Sequence, residues 1–209
     1  MNNVFSYNAD IEKNAYLNWR TSKHDHIHNM IVLADGFMSA ATLLAKQVLL
    51  DNVDKKADLL IFPILFNANH GIEVYLKAIS WSLNILNNTG KRFDPHHKLN
   101  KLLEKNISLV NTFENDSEKL KTFNSMIDPL EKYLNELSSK IESVTDKGKE
   151  VYKIDFSRYT LDVKNEPQFY INEFRNVVVD IENFIVVFES IHTSLNNIAN
   201  HYLYYNEEN

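Results

Sequence analysis

Four glycines and four prolines in 209 residues leave this chain too few turn-formers for a sheet-rich fold. Sheets of short strands need turn residues about every 8 to 12 positions. Long helices are therefore the economical solution, and the apolar spacing agrees. A first helix is predicted over about Asp10 to Arg20, followed by the histidine-rich "RTSKHDHIHNM". A second is predicted from about Asn29 to Val53, with Ile31, Ala34, Met38, Ala41, Leu44 (or Ala45) and Val48 at helical spacing. A third runs from about Ala57 to Asn87, with a kink or a delayed start expected at Pro63.

Asp94 and Pro95 read as the N-cap and first residue of a short helix, "HHKLNKLLEK". An amphipathic helix is expected over about Asn115 to Val144, carrying Leu120, Phe123, Ile127, Leu130, Leu134, Leu137 and Ile141 on one stripe, with a bend at Pro129. "TDKGKEVYKIDFSRYTLDVKNEPQ" is the one long non-helical candidate, with a brief extended stretch at Val151, Ile154 and Phe156. Long connections of this kind often carry function. The last helix is predicted from near Pro167, with Ile171, Phe174, Val178, Ile181, Ile185, Phe188, His192 and Leu195 alternating by three and four. Val177, Phe184, Ile191 and Ile198 add a further apolar line, as for a helix buried inside a bundle. The expectation is one all-α domain over residues 1–209, an antiparallel helical bundle with long third and last helices. Its core should span about 29–205, with an N-terminal helix and histidine-rich turn over 1–28.

A formal net charge of −6 argues against a broad basic surface for nucleic acid but leaves room for a small local pocket. The absence of cysteine removes disulfides, thiol chemistry and thiolate metal sites. The N-terminus lacks the basic and apolar regions of a secretory signal, and Asp180, Glu182 and Glu189 interrupt the apolar C-terminal window. A soluble, cytoplasmic protein is expected, with no membrane partner.

In "FPILFNANHGIEVYLKAIS", His70, Glu73 and Lys77 share one helical face, extended by Asn67, Ser80 and Asn84. Such a stripe is either a solvated edge with an i,i+4 Glu–Lys pair or the wall of a site in which His70 moves a proton and Glu73 orients it. Sequence alone does not say which way it faces. His24, His26 and His28 would point together only on a strand, and nothing completes a metal site around them. His96 and His97, at a helix start, serve as caps or as part of an anion site. His192 falls on a core position. Arg158, with Tyr159 and Asp162, is either a buried anchor paired with a carboxylate such as Glu73 or an anion ligand. No phosphate loop, nucleophile elbow or zinc-protease motif appears, and no cofactor or metal is expected.

Three stretches in order, "FPILFNANHGIEVYLKAI", "HHKLNKLLE" and "FSRYTLD", followed by a long closing helix, resemble bacterial HEPN-like proteins over roughly residues 30 to 200. That resemblance implies an antiparallel bundle, a homodimer, and a role in toxin–antitoxin or phage-defence systems. For many such proteins it also implies metal-independent cleavage of RNA by a paired arginine and histidine, at R-x(4–6)-H spacing. Arg20 to His26 and Arg92 to His97 have that spacing; Arg175 has no histidine in range, and Asn69, not arginine, precedes His70. Two functional classes stay open. One is an RNA endonuclease in which His97 or His70 is the acid or base, Arg92 or Arg158 holds the phosphate, Glu73 orients a partner, and Lys77, His96 and Tyr159 bind. The other is a non-catalytic bundle, using the same residues as anchors and acting by dimerisation or by binding an antitoxin or other partner.

Overall fold

The computed structural model describes residues 3–144, 150–171 and 173–208. It is an all-α bundle of α1 (His26–Leu50), α2 (Ala57–Leu86), α3 (Leu99–Phe113), α4 (Ser117–Ile141) and α5 (Ile181–Glu208). One small antiparallel hairpin, β1 (Glu142–Val144) with β2 (Glu150–Tyr152), joins α4 to the long connection. Within it Glu142 faces Tyr152, so the end of the expected fourth helix is a strand instead.

Helix α2 is the hub, packed against α1, α3 and α5. Both α1 and α2 are long and apolar enough by composition to cross a bilayer. In the bundle their apolar faces pack on each other, with Ala34, Met38, Ala41 and Ala45 fully buried against Ile64, Ala68 and Ile72. Gly71 permits the close approach: a Cβ there would lie 2.7 Å from Met38 Cγ and 3.2 Å from the Ala34 carbonyl oxygen.

Three predicted boundaries move, each for a local reason. The N-terminal helix is absent: residues 10–20 hold one 3-10 turn, Ile11–Lys13, with nothing buried. Leu17 and Trp19 are exposed, and a segment this short is not helical without a packing surface. α1 instead starts at His26, where Asp25 Oδ1 accepts the His28 amide at 2.8 Å. Histidines 26 and 28 thus belong to its first turn, while His24 precedes the cap.

α3 begins at Leu99, four residues beyond the expected Pro95. The side chain of its cap residue, Lys98, does not cap the helix; the Leu99 amide donates to the Tyr152 hydroxyl at 3.2 Å. The aspartate-proline signal is overridden, because the segment before Leu99 is held extended across α2.

α5 starts at Ile181, not near Pro167. Asp180 accepts the Asn183 amide at 3.0 Å, and the β-branched run Val177–Val179 before it is a poor helix former. Ile171, Phe174 and Val178, expected on the buried line, are exposed. By contrast α2 and α4 run through Pro63 and Pro129 unbroken.

Candidate functional site

The polar stripe of α2 faces inward. Asn69, Glu73, Lys77, Ser80 and Asn84 are all buried, and the Glu73 and Lys77 side chains are only 11% and 10% exposed. The i,i+4 pair forms, Lys77 Nζ donating to Glu73 Oε1 at 2.8 Å, but in the interior rather than on a solvated edge. His97 Nδ1 meets the same oxygen at 2.9 Å. The imidazole itself is 68% exposed, so its second nitrogen faces outward from a buried carboxylate.

Burial works to raise the Glu73 pKa, yet hydrogen bonds from Lys77 and His97 outweigh it and hold the carboxyl below its usual range. A carboxylate at Nδ1 fixes the ring orientation and favours the tautomer whose Nε2 is free to accept a proton. One turn earlier, His70 sits edge-on to Phe37 at 4.5 Å and stacked on Phe66 at 5.7 Å. Burial lowers its pKa; Glu73 opposes this, while Arg158, Lys77 and His97 add to it.

Arg158, at the end of a 3-10 turn (Ile154–Ser157), lays its guanidinium over Phe66 at 5.6 Å and over Tyr159 at 5.7 Å. The turn is secured by buried Phe156, whose carbonyl accepts the Tyr170 hydroxyl at 3.0 Å. Among the described residues Arg158 makes no ion pair, which corrects the expectation of a bond to Glu73. Lys77, approached by Phe93 at 5.7 Å, takes that place. The aromatic platform under Arg158 and its exposure leave the guanidinium free for an external anion.

The stretch therefore unites Glu73, Lys77 and His97 by direct bonds, and His70 and Arg158 beside them through Phe66. It does not bring in Arg92 or His96. Arg92 lies over the Trp81 ring at 5.2 Å, farther along α2. His96 faces Asp94 at 4.0 Å and accepts the Lys98 amide at 3.3 Å, and neither it nor His97 is in a helix. Tyr159 is exposed beside Arg158. Histidines 24, 26 and 28 scatter, with His26 stacked on Trp81 and His28 near the Arg20 carbonyl. Among the described residues no three histidine, aspartate or glutamate side chains gather as a metal site. His192 is half-buried and bonded to Asp35 at 2.9 Å, a structural pair between α5 and α1.

Tyr152 had no place in the sequence reading, although it is the only tyrosine in the alternating stretch "EVYKIDF". Its hydroxyl both starts α3 and senses Glu73; burial pushes it up to about 12, so it stays protonated.

Stability should fall on acidification in two stages. His70 has a lowered pKa in the fold, so the unfolded chain takes up its proton first and stability drops as pH falls below about 6.5. Glu73, also lowered, contributes stability above about 4.3 that is lost as pH falls through its folded value. Thermal melts from pH 7 down to about 2.5 should show both stages, the second below about 4.3, and His70→Phe should flatten the first, leaving a remainder from His201, whose pKa burial also lowers. An unchanged slope between pH 6.5 and 5 in that variant would refute the assignment.

No family model matches this chain, and no characterised protein or solved structure does.

Proposed function

We propose that the chain is a HEPN-like RNA endonuclease that works without a metal, with His97 as its proton-transfer group. The observation that carries this is the buried Glu73 carboxylate, already neutralised by Lys77, holding an otherwise exposed imidazole by Nδ1. A histidine so held has one nitrogen fixed and the other presented to substrate. In the proposed step Nε2 takes the proton of a ribose 2′-hydroxyl while the 2′-oxygen attacks the adjacent phosphorus. The bond from phosphorus to the 5′-oxygen breaks, and that oxygen takes a proton from water. A 2′,3′-cyclic phosphate and a 5′-hydroxyl result, and His97 returns its proton to solvent. Arg158, unpaired and supported by Phe66 and Tyr159, bears the negative charge that builds on the phosphoryl oxygens. His70, half-buried between the Phe37 and Phe66 rings, is a positioning neighbour. The resemblance extends the proposal to a homodimer in the cytoplasm, in a bacterial defence or stress system.

A second reading has its own observation. The segment between α2 and α3 is tied to successive turns of α2: Glu73 to His97, Lys77 to Phe93, Trp81 to Arg92 and Phe93, and Asn84 to the Arg92 carbonyl. Those ties alone would make a rigid, non-catalytic module that dimerises or binds a protein partner.

Incubating the purified protein with single-stranded RNA in excess chelator separates the two. Cleavage to cyclic phosphate ends is expected, falling about 10²- to 10⁴-fold in His97→Gln with the helical content kept. A wild-type protein that leaves a broad RNA panel intact, or a His97→Gln variant that still cleaves, refutes the catalytic reading.

A further inference from the structure

Beyond the Glu73 cluster, α2 runs past a cavity of about 280 Å³ lined by Ser80, Asn84, Lys91, Arg92, Phe93, Asp94 and Lys105. Three cations and one carboxylate converge there in a chain whose net charge is −6. Among the described residues Lys91, Arg92 and Lys105 have no acidic partner, and Asp94 is the one turned to His96. Lys105 is half-buried on α3, its stem against the bundle, and it lines the cavity with Arg92 and Lys91. Arg92 lies over the Trp81 ring at 5.2 Å, and Trp81 meets Phe93 at 5.8 Å. The floor is rigid: Ser80 donates to Asn106 Oδ1 at 3.1 Å, and Asn84 donates to the Arg92 carbonyl at 2.7 Å while accepting from Thr89.

Cations gathered without acidic partners at one cavity are what the phosphates of a single nucleic-acid strand require. The location is suited to the same ligand. Phe93 walls both places, touching Lys77 on one side and Trp81 on the other. Ser80 stands seven residues from Glu73 on one helix, a rise of about 10 Å.

We infer that Lys91, Arg92 and Lys105 form a phosphate subsite that holds a single-stranded RNA a short step along the strand from the bond presented to His97. It takes its ligand class from the nuclease reading, but binding can be read without cleavage. Arg92, a candidate for the scissile phosphate from its spacing to His97, thereby becomes a residue for a neighbouring phosphate.

The test uses a fluorescein-labelled 2′-O-methyl oligouridylate, which has no free 2′-hydroxyl to attack, and anisotropy titrations of the full chain over a range of salt. Lys105→Gln and Arg92→Gln should each weaken binding about three- to tenfold and lower the salt slope by about 0.7, the share of one phosphate contact on a single strand. Lys13→Gln, far off in sequence and already paired with Asp10, should change neither. Inorganic pyrophosphate should compete with the oligonucleotide on the wild type and less well on Lys105→Gln. Equal weakening by Lys13→Gln, or unchanged binding in both cavity variants, overturns the subsite. The two readings fail separately: cleavage with unchanged binding removes the subsite and leaves His97 in place. Cavity-dependent binding without any cleavage does the reverse.

Discussion

Glu73→Ala should lower stability by about 3–5 kcal/mol, among the largest losses available from a single polar residue here. The carboxylate and the Lys77 ammonium it pairs with are both about nine-tenths buried, at 2.8 Å. Removing the acid leaves the ammonium with only the face of Phe93 and no counter-charge. The same change releases His97 and with it one of the ties that hold the segment before α3 across α2. Glu73→Gln keeps the shape and one acceptor oxygen, so it should cost less, though the charge on Lys77 stays uncompensated. The decisive comparison is the pair Glu73→Leu with Lys77→Met. With both charges gone the desolvation cost of the pair goes too, and the double variant should recover most of the single loss. Urea unfolding of the three variants measures this. A Glu73→Ala protein within 1 kcal/mol of wild type, or a double variant no more stable than the single, would show that the pair is not buried as described.

The bundle was legible because its signals are local and repeated. The α4 stripe from Phe123 to Ile141 is buried as spaced, and so is the α1 line through Ile31, Ala34, Met38 and Ala41. What failed depends on distant partners. Asp94–Pro95 is a sound helix start by its own chemistry, but Glu73 holds His97 in extended chain and Tyr152 supplies the first helical amide with an acceptor. Nothing within ten residues of Pro95 announces either group. The same holds at Pro167, where a helical apolar pattern continues through Ile171, Phe174 and Val178 without any surface to pack against. For the site, spacing alone placed His70, Glu73 and Lys77 on one face and left its direction open. The direction follows from what packs over α2, namely α3 through Asn106 and α4 through the Tyr133–Asn69 bond at 2.6 Å. R-x(4–6)-H spacing misled at Arg92, because a separation along extended chain points two side chains at different turns of α2.

Phe188→Ala should cost about 3–5 kcal/mol and should also disturb the site from a distance. Its ring is 2% exposed, stacked on Phe184 at 4.1 Å and met edge-on by Tyr133 at 4.7 Å, so it locks α5 onto α4. It also forms part of the wall of a cavity of about 530 Å³ shared with Leu65, Phe156 and Val187. Removing the ring enlarges that space, and the stacked partners cannot close it without leaving their own contacts, so the cost should fall at the upper end for a large-to-small change. Phe188→Leu should lose about half as much, since it keeps most of the volume but not the ring contacts. The effect should travel through Tyr133, whose hydroxyl donates to the buried Asn69 next to His70. Asn69 already has an unbonded Nδ2, so a displaced Tyr133 would leave that amide with no partner among the described residues. Tyr133→Phe isolates this second link: it removes the hydroxyl while keeping the ring that Phe188 needs. If the α4–α5 contact supports the site, Phe188→Ala in folded form should shift the His70 ring resonances, and Tyr133→Phe should shift them alone with a smaller loss of stability. A Phe188→Ala protein that is destabilised by several kcal/mol while the His70 resonances stay put would make Phe188 a core residue only, and the α2 site independent of α5.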